Sequence, residues 1–149
     1  MHKTILPFYI LLCVTALSLL TACEKMTDDD TLDGQWRLTE IVTPTATTDV
    51  SDADVYWSIH SGLLQITSAT AFNDSISSTF SRIRHEGDSL FVTQTYAHTR
   101  STDILLADTT TALRAIGLPT AKTAFYIDSS KHRHLTLTAE NIMLRLKKY

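Results

Sequence analysis

Residues 80–96 read FSRIRHEGDSLFVTQTY, and this stretch determines the fold class. In its first part, Phe80, Arg82 and Arg84 alternate with Ser81, Ile83 and His85, as on the two faces of a strand. Glu86-Gly87-Asp88-Ser89 is typical of a tight turn, and the β-prone residues 90–96 follow it. The pattern predicts an antiparallel β-hairpin.

Shorter runs of the same kind occur on both sides of this hairpin. Breaks rich in Gly, Ser, Asp and Asn separate these runs, which is typical of strands joined by turns. One segment, Asp108 to Ile116, instead predicts a short helix, with Asp108 or Thr109 as N-cap and Gly117-Leu118-Pro119 as its end. Residues 43–54 predict a loop. The predicted strands outside the hairpin lie within residues 35–39, 56–60, 64–66, 125–127, 135–137 and 142–146.

Together these runs give about eight strands, and strands that follow one another through short turns pair antiparallel by default. We therefore predict an all-β fold, an antiparallel meander with one short helix. Such a set of strands closes as a small barrel or packs as a sandwich, because both arrangements shield the sheet edges.

The N-terminus predicts export and a lipid anchor. Lys3 precedes an uncharged apolar run, residues 5–20, that is short for a membrane-spanning helix, which needs roughly 20 residues. The ending Leu20-Thr21-Ala22-Cys23 resembles the lipobox of bacterial lipoproteins. The resemblance implies cleavage before Cys23 and lipidation of its thiol. We expect a signal peptide at 1–22, the lipidated cysteine with an acidic tether at 23–31, and one domain at 32–149.

The residues after Cys23 indicate where the protein is attached. Asp28-Asp29-Asp30 resembles the surface-export signal of Bacteroidota lipoproteins, although an acidic run also serves as a solvated tether. We therefore expect attachment to the outer membrane, with exposure at the cell surface or towards the periplasm. Cleavage would also remove Cys13 and leave Cys23 without a partner for an intramolecular disulfide.

Length and charge limit the function further. The 149 residues suit a single domain, and the net charge of −3 would become −4 in the mature chain because cleavage removes Lys3 and no acid. An acidic balance argues against nucleic acid as a partner, since that ligand requires a basic face.

The stretch Leu32-Asp33-Gly34-Gln35-Trp36-Arg37-Leu38 resembles the first strand of lipocalin-like lipoproteins of Bacteroidota. Residues 55–59, 135–138 and 141–144 resemble one group of these proteins as well. The resemblance implies an eight-stranded barrel over residues 32–149, with Trp36 packed at its closed end. It implies no activity.

No motif predicts catalysis, a metal or a cofactor. A Gly-x-Ser-x-Gly elbow and a phosphate-binding loop are absent from the sequence, and the acids lie mainly in the tether and turns. His132-Arg133-His134 would place two imidazoles on one strand face, but it also suits a polar turn, which we favour.

The aromatic residues suggest binding. Small eight-stranded barrels either fill their interior with side chains or hold one small ligand. The candidate lining residues of such a cavity are Trp57, Phe80, Phe91, Tyr96 and Phe125. We therefore hypothesise a non-enzymatic, lipid-anchored envelope protein that binds a small apolar ligand or a protein partner. The alternative is a structural or accessory subunit that docks on an outer-membrane complex.

Overall fold

The structure is a computed structural model, and it describes residues 32–70, 78–108, 111–131 and 133–149. The predicted signal peptide, Cys23 and the acidic tether lie outside these ranges. Residues 32–149 form one compact structural unit.

The described residues contain ten β-strands and one α-helix, joined mainly by short turns. The strands are β1 (Gly34–Val42), β2 (Thr47–Asp49), β3 (Tyr56–His60), β4 (Leu63–Thr67), β5 (Ser78–Glu86), β6 (Ser89–His98), β7 (Asp103–Leu105), β8 (Thr123–Lys131), β9 (His134–Ala139) and β10 (Ile142–Lys148). The helix α1 spans Ala112–Ala115, and a 3-10 turn spans Ser51–Ala53. The predicted loop at 43–54 therefore contains the short strand β2 and this turn.

Eight of the strands form a closed antiparallel barrel. The ring runs β1, β3, β4, β5, β6, β8, β9, β10, and β10 pairs with β1 from Trp36↔Lys148 to Val42↔Met143. The short strands β2 and β7 lie outside the ring, paired with β1 and β6. The predicted all-β meander of eight strands with one short helix is confirmed, and closure through β1 and β10 selects the barrel over the sandwich.

The β5–β6 hairpin forms as predicted, with one irregularity. Its pairing runs from Ser78↔His98 to Glu86↔Ser89, but Arg82 pairs with Gln94 and Ile83 pairs with Val92. Thr93 is therefore an extra residue on β6, a β-bulge. Because side chains alternate along a strand, the bulge changes which residues of β6 face the interior.

Trp36 is 1% exposed and lies where β1 begins. Its indole N–H donates to the carbonyl of Leu32 at 2.7 Å, so the ring is fixed across this end of the barrel. The Lys148 ammonium lies 5.2 Å from the ring centroid. Trp36 is therefore a buried core residue at the end of the barrel where β1 begins.

The helix is shorter than predicted. It begins after Thr111 without a side-chain cap, whereas Asp108 lies in a turn outside it. The prediction of Asp108 as N-cap is therefore wrong, and Thr109 lies outside the described residues. The predicted end is observed, because Gly117 adopts a φ of +90° directly after the helix.

Candidate functional site

The connection between β7 and β8 enters the barrel. We call residues 111–122 of this connection the plug. Leu113, Ile116, Leu118 and Ala121 of the plug are at most 3% exposed and belong to the same apolar cluster as the inward side chains of the strands. The chain thus places its own residues in the volume where a small barrel of this size would hold a ligand.

Trp57 on β3 holds the plug in the interior. Its ring is fully buried, and its indole N–H donates to the carbonyl of Ile116 at 2.9 Å. The same ring meets Phe125 on β8 edge to face, with centroids 5.9 Å apart. Trp57 therefore joins the plug to two walls of the barrel.

Two buried hydroxyl groups hold the far end of the plug. Thr95 on β6 donates to the carbonyl of Ala121 at 2.8 Å, and its oxygen lies 2.9 Å from the hydroxyl of Ser81 on β5. Both residues are at most 2% exposed. The plug carbonyl thus has a partner without water, as a buried polar group requires.

Gly117 allows the plug to pass close to the wall. A Cβ at this position would lie 3.1 Å from a methyl group of Leu144 and 3.2 Å from the Trp57 ring. We expect Gly117→Ala to lower the free energy of unfolding by about 1–3 kcal/mol through backbone strain, with a further loss from crowding. Urea denaturation would measure the difference.

Gly87 provides the matched control for that substitution. It also has a positive φ, but a Cβ there would meet nothing within 4 Å. Gly87→Ala should therefore show the strain without the crowding. An equal loss in the two variants would contradict close packing of the plug at Gly117.

The five candidate lining residues do not come together. Trp57 and Phe125 lie in the interior, but they pack against the plug and each other. Phe80, Phe91 and Tyr96 are half-buried and lie on the outer face, since their strand neighbours Thr79, Ser81, Leu90, Val92, Thr95 and Ala97 are the buried ones. The predicted lining is wrong for these three residues.

Contacts outside the barrel account for their partial burial. Phe80 pairs with Tyr96 across β5 and β6, and its ring meets the His98 ring at 5.9 Å. The Arg84 guanidinium lies 5.0 Å from the Phe91 ring centroid. The bulge at Thr93 places Phe91 and Tyr96 on the same outer face, although a regular strand would put these two residues on opposite faces.

A cleft of about 340 Å³ lies at the mouth of the barrel, on the outer side of the plug. Three connections form it: the β1–β2 turn, the β9–β10 turn and the plug itself. Its lining is mainly apolar, and the residues are Ile41, Thr43, Pro44, Arg114, Pro119, Ala139, Glu140, Asn141 and Ile142. We call it the mouth cleft.

Two charged residues of opposite sign line the mouth cleft. Arg114 extends from the plug, and Glu140 occupies the β9–β10 turn; both are exposed. Neither forms an ion pair with another described residue. Thr43 is committed to its own turn, because its hydroxyl bonds with the backbone of Ala46.

A second concavity, of about 370 Å³, lies outside the barrel beside Phe91 and Lys122. It is more open than the mouth cleft, and its Arg84 is already paired with Glu86 at 2.7 Å. The mouth cleft is therefore the better candidate for a binding site.

Further polar residues lie outside the mouth cleft. The Ser51 backbone N–H donates to the Asp49 carboxylate and lowers the pKa of this carboxyl, which keeps it ionised at the surface. Within the described ranges, no three His, Cys, Asp or Glu residues are grouped as metal ligands. His132 of the His132-Arg133-His134 motif lies outside those ranges, and His134 is exposed on β9.

Sequence reasoning did not identify the mouth cleft. Its residues lie in three connections, predicted separately as a loop, a helix end and a turn. The predicted meander did contain information about the site, because alternate connections of an antiparallel meander lie at the same end of the barrel. The side chains that share that end can be grouped only once the order of strands is known.

None of the described helices is long and apolar enough to cross a lipid bilayer.

Comparisons with known proteins agree with this architecture. A family model described as "Lipocalin-like domain" matches residues 18–149. A crystal structure of a lipocalin-like protein from Bacteroides uniformis superposes with a TM-score of 0.57 at 18% identity, over 80% of this chain and 99% of that one. An uncharacterized protein from Bacteroides eggerthii gives a TM-score of 0.53 at 15% identity, over 78% and 98%. Among curated proteins, none matches this chain.

Proposed function

Because this chain belongs to the lipocalin-like domain family, we propose that it is a non-enzymatic, lipid-anchored protein of the cell envelope that binds a small molecule with an apolar body. The mouth cleft is the proposed site. The observation that carries this proposal is the plug, which fills the barrel interior with Leu113, Ile116 and Leu118 and leaves a concave, mainly apolar surface outside.

The fold and the cleft both support binding rather than catalysis. Lipocalin-like folds typically bind ligands. The volume of the mouth cleft lies at the lower end of the range of small-molecule sites, and its apolar lining with few polar groups is typical of them.

The N-terminal sequence supports the anchor. Leu20-Thr21-Ala22-Cys23 ends an apolar run of signal-peptide length, and several acyl chains on one cysteine would hold a domain firmly at a membrane. The acidic run Asp28-Asp29-Asp30 supports attachment to the outer membrane with exposure at the cell surface. The two solved structures described above come from Bacteroides, which agrees with the resemblance to Bacteroidota lipoproteins.

Native mass spectrometry of residues 24–149, purified gently from the producing cells, would test ligand binding. We expect additional mass that is lost on denaturation and reduced in Pro44→Trp, because an indole at this exposed position of the β1–β2 turn would fill the mouth cleft.

Thr45→Trp is the matched control. Thr45 lies in the same exposed turn but does not line the mouth cleft, so this variant should keep the additional mass. If the parent protein shows only the mass of its polypeptide chain, or if both variants retain the ligand equally, the result would argue against the mouth cleft as the binding site.

The second candidate function is a subunit that docks on an outer-membrane complex. Exposed apolar side chains on the outside favour it: Ile104 and Leu105 on β7 are 51% and 58% exposed. Crosslinking in intact cells should then give an adduct that Leu105→Asp abolishes. Leu63→Asp is the control, since Leu63 is 53% exposed on β4. Loss of the adduct in both variants, or in neither, would contradict a docking surface centred on β7.

A further inference from the structure

The two charges of the mouth cleft restrict the kind of molecule that it can hold. Arg114 and Glu140 line one cleft without neutralising each other or pairing with another described residue. A neutral apolar ligand would remove water from both charges without providing partners, which is costly. A ligand with complementary charges would satisfy both.

Glu140 occupies a position that a glutamate fits poorly. It lies in a two-residue turn between the paired residues Ala139 and Ile142, and its φ is +45°. Glycine or asparagine adopts this conformation much more readily than glutamate. Ser61 and Asp54, which do not line the mouth cleft, adopt a similar positive φ, so the charge of Glu140, and not its backbone, points to a ligand.

The surrounding surface defines the rest of the ligand. Ile41 and Ile142 are partly buried against the core and present apolar surface to the mouth cleft, together with Pro44 and Pro119. The Thr43 hydroxyl is committed to its own turn, so the polar side chains of the lining that remain for a ligand are those of Arg114, Glu140 and Asn141.

We propose that the mouth cleft binds a short apolar peptide with free termini, whose ammonium group contacts Glu140 and whose carboxylate contacts Arg114. The inference rests on the proposed function, namely that the mouth cleft is a ligand site. A fatty acid would satisfy Arg114 alone and leave Glu140 beside an apolar chain. The unpaired glutamate therefore selects a zwitterion over a simple anion.

Isothermal titration calorimetry of the full-length protein in detergent micelles tests this with leucyl-leucine as the probe. Three blocked forms of this peptide serve for comparison. Acetylation of the amine removes the positive charge, amidation of the carboxylate removes the negative charge, and the doubly blocked form has neither. We expect leucyl-leucine to bind and each single block to weaken binding about 10–100-fold, which is the range for a lost hydrogen bond to a charged group.

Substitutions in the mouth cleft show which residue binds each terminus of the peptide. Glu140→Gln should weaken leucyl-leucine about tenfold or more but leave the affinity of the acetylated peptide unchanged, because that peptide has no ammonium group to lose. Arg114→Gln should behave in the same way towards the amidated peptide. Arg82→Gln and Asp88→Asn make the same charge changes at exposed positions outside the mouth cleft and should have no effect.

Glu140→Gly separates binding from stability. It should raise the midpoint of thermal unfolding, since it relieves the positive φ, while it weakens leucyl-leucine as much as Glu140→Gln does. A purely structural role for Glu140 would leave the binding unchanged.

The outcomes distinguish the inference from the proposed function. Equal affinity for all four peptides, with binding lost in Pro44→Trp, would overturn the inference and leave the mouth cleft as an apolar site. Tighter binding of dodecanoate than of leucyl-leucine would overturn it in favour of an anionic amphiphile. Absence of peptide binding would also overturn it, while native mass spectrometry would still decide the proposed function independently.

Discussion

Trp57→Ala is expected to lower the free energy of unfolding by about 3–5 kcal/mol, the usual cost of removing a large buried aromatic side chain. The substitution would open a cavity at the centre of the barrel. It would also leave the carbonyl of Ile116 without its donor and Phe125 without its edge-to-face partner. Because the plug depends on this hydrogen bond, we expect faster amide exchange and proteolysis in residues 111–122. Urea denaturation and hydrogen exchange would measure the two effects.

Trp57→Phe and Phe91→Ala are the controls for this prediction. Trp57→Phe keeps most of the packing and removes the indole donor, so about 1–3 kcal/mol should be lost for the unsatisfied carbonyl. Phe91→Ala removes an aromatic ring from the outer face and should cost about 1 kcal/mol. A similar loss for Trp57→Ala and Phe91→Ala would contradict the central role of Trp57.

Cys23→Ser is expected to move the protein from the membrane pellet to the supernatant. Without the thiol there is no site for lipid attachment, and each CH₂ that is not buried removes about 0.8 kcal/mol of membrane affinity. Cell fractionation and metabolic labelling with a radioactive fatty acid would measure the change.

Cys13→Ser is the matched control, because Cys13 lies inside the predicted signal peptide and has no role in the proposed anchor. This variant should remain in the membrane pellet and incorporate the label. Membrane association of the Cys23→Ser protein at the parental level would refute the lipid anchor.

Local sequence patterns were sufficient to predict the fold class. The alternation along residues 80–85 and the turn at Glu86-Gly87-Asp88-Ser89 correspond to the longest hairpin of the barrel. The closing contact between β1 and β10 could not be derived from local patterns, because it joins residues far apart in the chain. The resemblance of the Gly34-Gln35-Trp36 region to lipocalin-like proteins provided that part of the prediction.

The candidate site was predicted less well, for two physical reasons. The five lining residues were chosen because they are aromatic, without assigning each one to a face of its strand, and the bulge at Thr93 also changes which side chains of β6 face inward. The plug was predicted only as a short helix. The sequence shows that Leu113, Ile116 and Leu118 are apolar, but it does not show which residues they pack against. Whether an interior is occupied by the chain itself or by a ligand depends on packing that a single sequence does not display.

The pairing of β1 with β10 also constrains how the chain folds. Trp36 and Lys148 are neighbours in the sheet although more than a hundred residues separate them, and the other closing pairs are similarly distant. Forming such contacts requires the loss of much chain entropy before any contact is gained, so closure should be late and slow relative to the hairpins. Until it occurs, β1 and β10 each present an unpaired edge to other unfolded chains. The barrel is therefore most vulnerable to aggregation in the interval between hairpin formation and closure.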